Sequence, residues 1–270
     1  MSNKALLQYW IIEREKVRLK KEAGEPKPWS TDPIFQATYF TNVNREHDRV
    51  TRWIREFYTP HVHDEYFEAN MCVARLFNWP DTLEKLGYIK FEGCFDWIYD
   101  VTTEIQRKGI KVWGSAYLVT THGRAMSKAE YCSEVLQTAF GHGLRHRLGH
   151  TLQSAHTALQ KVEGFGSFMA AQVVADLKNT PGHPLQKAPD WRWWSAPGPG
   201  SLRGLGWYFD EKITPGHYQE AIEQVAKDLD WFMWPGDLCM QNLQNCLCEY
   251  DKMMRIRTGT GRSKRGYDAS

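Results

Sequence analysis

The 270-residue sequence predicts an all-α protein, and three observations support that prediction. Apolar residues recur every three to four positions through most of the chain, as at Leu148 and Leu152. Capping residues, prolines and glycines divide this pattern into segments of ordinary helix length. A single stretch, 109–120, has the composition of a strand, and Gly114 interrupts it. We expect the helices to form one domain over residues 1–270.

The predicted helices follow one another with short connections. The first covers 3–21, and a glycine and a proline just after it end the N-terminal segment, 1–24. A long second helix is predicted from Pro33 to Pro60, because capping residues precede a proline that suits a first helical turn. The remaining predicted helices are 64–78, 81–88, 95–107, 128–140, 147–161, 167–178, 216–231 and about 237–257.

One connection, 178–207, is much longer than the others and rich in glycine, proline and tryptophan. Long loops of this composition inside helical proteins usually serve a function rather than a simple change of direction. We therefore expect a Gly/Pro/Trp loop that contributes to a binding or catalytic site.

The charge is nearly balanced, with a formal net charge of +2, yet the bases are unevenly placed. The C-terminal segment, 252–270, carries six bases between Lys252 and Arg265 and no acid among them. Local basic strips of this kind follow nucleic-acid phosphates, although a solvated tail is the alternative. The 12 Trp, 12 Tyr and 12 Phe are compatible with stacking on bases as well as with a large core.

The cysteines and the apolar runs bear on where the protein resides. None of the six cysteines has the spacing of a zinc site, so we expect free thiols in a cytoplasmic protein. There is no apolar run long enough for a signal peptide or a membrane span, so a soluble protein is expected. The histidines of GHGLRHRLGH have no accompanying acid, HVHDE at 61–65 is an equally weak candidate, and no metal site is predicted.

The stretch KVEGFGSFMAAQVVADL, within 147–178, predicts two helices joined by a glycine-rich corner. Glycines allow the backbone to turn sharply and approach a ligand, and a following helix start favours an anion. The pattern resembles the helix-hairpin-helix of DNA glycosylases, which implies DNA-phosphate contacts at Gly164, Gly166 and Ser167. A plain corner between packed helices is the alternative. Phe168 and Met169 stand where glycosylases often carry a basic or polar residue.

Asp190 follows this hairpin in the region where the glycosylases place a catalytic aspartate. A residue that caps a turn is the alternative interpretation.

Two further segments concentrate polar side chains. In FTNVNREHDRVTRW, helical spacing would place Arg45, Asp48 and Arg49 on one side, and a salt-bridged surface is the alternative to an anion site. In the last predicted helix, amides and charges share one face, which favours recognition over simple solvation. The members of that face are Gln241, Gln244, Asn245, Glu249, Lys252 and Arg255.

Four stretches together resemble the α-glutamyl/putrescinyl-thymine pyrophosphorylases of bacterial viruses, also described as amino acid:DNA transferases. They are EPKPWSTDPIFQATYFTNVNREHDRVTRWI, the hairpin, APGPGSLRGLGW and LQNCLCEYDKMMRIRTGTGRSKRGY. A related helical domain accompanies 5-hydroxymethyluracil DNA kinases. The resemblance implies a glycosylase-like helical fold and a base flipped out of double-stranded DNA. It also implies that an amino acid, glycine-like, or a polyamine displaces pyrophosphate from 5-(pyrophosphoryloxymethyl)uracil, which gives a hypermodified thymine.

The resemblance implies roles for particular residues. Cations should gather pyrophosphate charge, and a carboxylate should accept a proton from the incoming ammonium. The pyrophosphate-binding candidates are Arg45, Arg49, Arg203 and Lys252. The catalytic carboxylate candidates are Asp190, Glu46 and Asp48. The base-binding candidates are Asn42, Trp191, Trp194, Gln244 and Asn245. The DNA-binding candidates are Gly164, Gly166, Ser167, Arg262, Lys264 and Arg265.

No cofactor is required by these motifs, and Mg²⁺ is compatible with a pyrophosphate site without being demanded by one. Two other functions stay open at this point. One is a base-excision DNA glycosylase, and the other is a non-catalytic DNA-binding module that partners a 5-hydroxymethyluracil DNA kinase. The chain has no phosphate-binding loop of the GKS/GKT kind, which excludes a nucleotide kinase of that class.

Overall fold

The computed structural model describes residues 2–115, 119–141 and 143–261, and all regular structure within them is helical. The all-α prediction is therefore confirmed for these residues. The helices are α1 Asn3–Glu22, α2 Pro33–Ala37, α3 Arg49–Tyr58, α4 Phe67–Phe77, α5 Pro80–Leu86, α6 Phe95–Arg107, α7 Lys128–Gly141, α8 Leu144–Arg147, α9 Leu152–Leu159, α10 Ser167–Asn179, α11 Pro199–Phe209, α12 Tyr218–Asp228 and α13 Met240–Arg257.

The chain forms two compact units. The terminal unit combines Met1–Asp48 with the chain from Arg192 onward, and the central unit is Arg49–Trp191. The single domain expected over 1–270 stays a prediction.

In the terminal unit, α1, α11, α12 and α13 enclose an aromatic core. Trp10 of α1 meets Phe40 edge to face, with ring centroids 5.8 Å apart, and both side chains are fully buried. Tyr250 of α13 and Trp231 are also fully buried in this cluster. These buried aromatic side chains pack between α1 and α13 and hold α13 against α1 within the unit.

Two glycines allow α11 and α13 to approach each other closely. A β-carbon at Gly204 would lie 2.1 Å from the carbonyl oxygen of Leu247, and one at Gly200 would lie 2.8 Å from the sulfur of Cys248. These glycines therefore form a packing seam between the two helices. The long loop predicted for 178–207 is wrong in its second half, because helix α11 begins at Pro199.

In the central unit, α4 is buried along its entire length, from Phe67 to Phe77. Its Arg75 donates two hydrogen bonds of 2.5 Å to the carboxylate of Asp176 on α10, and both side chains are almost completely buried. This bidentate pair connects α4 to the helix that follows the glycine corner.

The long helix predicted from Pro33 to Pro60 is wrong. Helix α2 ends at Ala37, the chain is extended at Thr38, and a 3-10 turn at Arg45–His47 precedes α3. The helix predicted at 147–161 is too long, because α8 ends at Arg147, Thr151 is extended and α9 covers only Leu152–Leu159. Most other helices match their predicted bounds closely, and α6 covers the predicted 95–107.

Candidate functional site

The segment between α2 and α3 does not form an α-helix, and hydrogen bonds of polar side chains hold its conformation. Asp48 accepts hydrogen bonds from the backbone N–H of Asn42 (3.1 Å), from its side-chain Nδ2 (2.9 Å) and from Nε of Arg45 (3.0 Å). Side chains of this type compete with the helix for backbone groups. The predicted shared helix face of Arg45, Asp48 and Arg49 is wrong, because α3 begins only at Arg49.

Arg14 of α1 fixes this segment from inside the unit. Its Nε donates to the carbonyl oxygens of Phe40 (2.9 Å) and Thr41 (3.0 Å), and its Nη2 donates to Oδ1 of Asn42. The guanidinium is buried with a residue exposure of 4%. Sequence reasoning missed Arg14, because its partners lie 26–28 residues away along the chain.

Asn245 of α13 joins the same network. Its Nδ2 donates to the carbonyl oxygen of Asn42 (3.1 Å), and its Oδ1 accepts from the hydroxyl of Thr41 (3.2 Å). Both asparagines are buried. The structure therefore brings these two predicted base-binding residues together, with their amides bonded to protein groups.

Glu249 and Lys252 lie one and two turns further along α13. Lys252 Nζ donates to the carbonyl oxygen of Tyr39, lies 3.5 Å from Oε2 of Glu249 and 5.0 Å from the ring centroid of Phe40. Burial raises the pKa of the Glu249 carboxyl, and the nearby Asp48 carboxylate adds to the increase. Lys252 and the backbone N–H of Thr41 oppose that shift. A carboxyl group in such surroundings is suited to accept and release a proton.

A second cluster on α13 carries positive charge. Nε and Nη2 of Arg203 lie 3.0 and 2.9 Å from Oδ2 of Asp251, and Nε of Arg255 lies 3.2 Å from the same oxygen. The indole N–H of Trp207 donates to Oδ1 (3.1 Å). The Asp251 side chain is 1% exposed, whereas those of Arg203 and Arg255 are 53% and 39% exposed.

One carboxylate thus holds two solvent-facing guanidinium groups, and the cluster keeps one net positive charge. Fixed guanidinium forks of this kind bind phosphate oxygens. We call Arg203, Glu249, Asp251, Lys252 and Arg255 the α13 site. Sequence reasoning placed Arg203 and Lys252 in an anion site but assigned no role to Asp251, which is the residue that joins the arginines.

Three other predicted residues of the terminal unit are Glu46, Trp194 and Gln244. The backbone N–H of Glu46 donates to Oδ1 of Asn44 (3.0 Å), and Nε2 of Gln244 lies 3.5 Å from the sulfur of Cys248. Trp194 is buried at 7% exposure. Its ring therefore belongs to the interior of the unit, and its predicted stacking role stays a prediction.

In the central unit, Asp190 caps a helix. Its two carboxylate oxygens accept from the backbone N–H groups of Leu152 (2.8 Å) and Gln153 (3.0 Å), at the start of α9. This is the geometry of a helix N-terminal anion. Trp191 donates its indole N–H to the carbonyl oxygen of Lys178 (3.0 Å). Arg49 is exposed at the start of α3.

Helices α9 and α10 are joined by residues 160–166, as predicted for the glycine corner. Gly164 has φ +76°, and a β-carbon there would lie 2.9 Å from the hydroxyl of Tyr131. Gly166, and not Ser167, is the N-cap of α10. Gly164 is therefore required by the turn itself, and the contact with DNA stays a prediction.

Arg262, Lys264 and Arg265 lie outside the described residues. Over 2–115, 119–141 and 143–261, no group of three or more His, Cys, Asp and Glu side chains is placed to hold a metal ion. In the same part of the chain, no helix combines the length with the apolar content that crossing a bilayer requires.

Comparison with known proteins identifies the family. The family described as 5-hmdU DNA kinase, helical domain, matches residues 3–263. The 5-hmdU DNA kinase of Bacillus phage SP10 is 23% identical over 292 aligned positions, which cover 96% of this chain and 45% of that protein. The chain thus spans about half the length of that relative. No solved structure matches the chain. The match over almost the whole chain shows that this protein belongs to the 5-hmdU DNA kinase helical-domain family.

Proposed function

We propose that this protein is a transferase that modifies viral DNA, displacing pyrophosphate from 5-(pyrophosphoryloxymethyl)uracil with a primary amine. Two independent observations support the proposal. The family and the phage relative carry names that concern 5-hydroxymethyluracil in DNA. Helix α13 carries a partly buried carboxyl group paired with Lys252 and, in a second cluster, two exposed arginines paired with Asp251, and these are the types of group that departure of pyrophosphate and activation of an amine require.

The reaction assigns a role to each member of the site. Arg203, Arg255 and Lys252 bind the pyrophosphate oxygens and stabilise the charge that develops as the methylene carbon–oxygen bond breaks. Glu249 accepts a proton from the ammonium group, and the freed nitrogen lone pair forms the new bond to the methylene carbon. Pyrophosphate leaves with the electron pair of the broken bond. Asp251 keeps the two guanidinium groups at a fixed separation.

The network around Asp48 supports the base. Thr41 donates its backbone N–H to Glu249, and Arg14, Asn42 and Asn245 hold the chain at Thr41 in place. We propose that these residues position Glu249 rather than contact the uracil. Gln244 remains the candidate for contact with the base edge.

DNA binding is proposed at two further places. The glycine corner at Gly164 and Gly166 offers its backbone to a phosphate, and Arg262, Lys264 and Arg265 add local positive charge. The target base must leave the stack before its methylene carbon is reachable.

The observation that carries the proposal is the pair of exposed arginines held by the buried Asp251. The test is to incubate the protein with DNA carrying pyrophosphorylated 5-hydroxymethyluracil and a mixture of amino acids and putrescine. We expect release of pyrophosphate and a new amine-bearing nucleoside in mass spectra of the digested DNA.

Arg203→Met and Arg255→Met should each reduce the rate about 100-fold or more. A matched control is Arg107→Met, an exposed arginine paired with a glutamate on α6.

A second function, a non-catalytic helical module that serves a kinase, is favoured by the family description and by the 45% coverage of the phage kinase. The same assay separates the two. A module would bind the DNA and leave it chemically unchanged. Release of free base would instead indicate a glycosylase and would contradict the transferase.

A further inference from the structure

A separate pocket of about 480 Å³ lies in the terminal unit, beside α12 and the 3-10 turn Trp231–Met233. This volume is within the range of small-molecule sites. Trp193 on its rim is 55% exposed, Met233 is 84% exposed, and the Trp193 and Phe232 ring centroids are 4.4 Å apart. Large apolar side chains exposed together at a concave surface are typical of a binding site.

One aromatic ring of this pocket, that of Phe232, lies beside a cation of the protein itself. The guanidinium carbon of Arg192 lies 4.9 Å from the ring centroid of Phe232, and its Nη2 donates to the carbonyl oxygen of the same residue (2.9 Å). Trp193 is the larger ring and is the better cation acceptor of the two. Its exposed surface is open to a ligand.

Charged side chains of both signs complete the rim. Glu223, Lys227 and Asp230 line the pocket along α12 and just after it. Glu223 accepts a hydrogen bond from Gln219 (2.7 Å), and within the described residues neither Lys227 nor Asp230 has an ion-pair partner. The lining carries two carboxylates and one ammonium, and Arg192 beside Phe232 balances their charge. The carboxylates of Glu223 and Asp230 are therefore the groups that favour a cationic ligand in this pocket.

We propose that this pocket binds a small molecule with a primary ammonium group. The ammonium lies against the Trp193 ring and between the carboxylates of Glu223 and Asp230, and the apolar part of the ligand contacts Phe232 and Met233. An amino acid would also place its carboxylate on Lys227, whereas a diamine would not. The choice of a primary amine as ligand rests on the proposed function, because the pocket would supply the amine that the transferase consumes.

The experiment is calorimetric titration of the full chain, without DNA, with putrescine, glutamate and phenylalanine, and with N-acetylglutamate and N-acetylphenylalanine. We expect at least one primary amine to bind and its N-acetylated form, where one is tested, to bind at least tenfold more weakly. Trp193→Ala and Asp230→Asn should each weaken binding about tenfold. Lys227→Met should weaken binding of the amino acids and leave putrescine unchanged.

Asp210→Asn is the matched control, because Asp210 is an exposed aspartate with the same left-handed backbone (φ +57° against +49° for Asp230) and lies outside the pocket. Asparagine tolerates that backbone, so both variants should fold. Equal binding by the wild type and Asp230→Asn, or no binding of any primary amine at millimolar concentration, would overturn the inference. Amine binding here with no transfer activity would refute only the proposed function. Transfer without binding at this pocket would refute only the pocket.

Discussion

At the scale of single residues, two neighbouring acids on α13 have opposite surroundings. Asp251 lies between two arginines and a tryptophan N–H, so its charge is fully compensated. Glu249 has one lysine and the carboxylate of Asp48 nearby, and its pKa is raised by burial. Two carboxyl groups in such different surroundings commonly have different roles in a site. In the proposed reaction, Asp251 positions charge and Glu249 exchanges a proton.

Glu249→Gln should reduce amine transfer by about 10²–10⁴-fold, because glutamine cannot accept the proton. The control is Glu220→Gln, an exposed glutamate on α12 of the same unit, which should retain wild-type activity. Transfer rates of the two purified variants against wild type measure this. An equal effect of both changes would exclude Glu249 as the base.

The pH profile should reveal the same group. A base is active when ionised, so activity falls as the pH decreases through the Glu249 pKa. Because that pKa is raised, the decrease should begin at a higher pH than for an ordinary glutamate near 4.3. Lys252 lowers this pKa, so Lys252→Met should move the acidic limb to still higher pH. An acidic limb that does not move would contradict the assignment.

At the scale of elements, the seam between α11 and α13 positions the arginine pair. Arg203 lies on α11 between Gly200 and Gly204, the residues that let its backbone approach α13. The short distance between the helices is what allows Arg203 and Arg255 to share one oxygen of Asp251.

Gly204→Ala should destabilise the protein by about 1–3 kcal/mol, because the added methyl would meet the backbone oxygen of Leu247 at 2.1 Å. Gly141→Ala is the control. Gly141 ends α7, and among the described residues beyond its own turn and chain neighbours no atom lies within 4 Å of the added methyl, so alanine there should be neutral or slightly stabilising. Urea unfolding of both variants gives the comparison. Equal free energies of unfolding for the two variants would show that α11 and α13 can move apart without loss of stability.

Asp190→Ala should lower the stability by about 1 kcal/mol and the Tm by about 2–4 °C, since α9 loses the acceptor for two backbone N–H groups. Asp190→Asn keeps one acceptor oxygen and should cost less. Thermal melts of both variants are then compared with their turnover at a temperature where each is folded. Turnover equal to wild type in Asp190→Asn would leave capping as the only role of this residue.

The sequence predicted elements well where local signals agreed. Helix α6 has a regular apolar pattern, and its predicted bounds match those observed. The segment before α3 was predicted as helix because its polar side chains also fit helical spacing. In the structure Asp48 instead bonds Asn42 and Arg45, and further contacts come from residues far along the chain. Arg14 and Asn245, its partners, are distant along the chain. The glycines of α11 suggested a loop, since their contact with α13 is invisible in a linear pattern.

Some residues of the candidate site were predicted from the sequence and others were not. Asn42, Arg45, Asp48, Asn245 and Lys252 were selected for their chemistry, and the structure brings them together in one unit. Asp251, a buried neighbour of two selected cations, gave no signal because its partners on α11 lie more than 40 residues earlier.

At the scale of the whole molecule, DNA binding is expected to depend on salt. Replacement of Arg262, Lys264 and Arg265 by alanine should weaken binding and reduce the slope of log K against log salt by about 2–3, as each lost phosphate contact accounts for about 0.9. Filter binding or fluorescence anisotropy between 50 and 200 mM salt, typical of such titrations, provides the slope. An unchanged slope would leave the basic tail as a solvated segment.

The division of the chain also sets the order of events during synthesis. All of Arg49–Trp191 is translated between the two segments that make up the terminal unit, a delay on the order of ten seconds. During that interval Trp10 and Phe40 have left the ribosome, but α13, which packs on them, does not yet exist. The central unit can therefore fold before the terminal unit is complete. The site on α13 therefore forms only after α13 itself has been released.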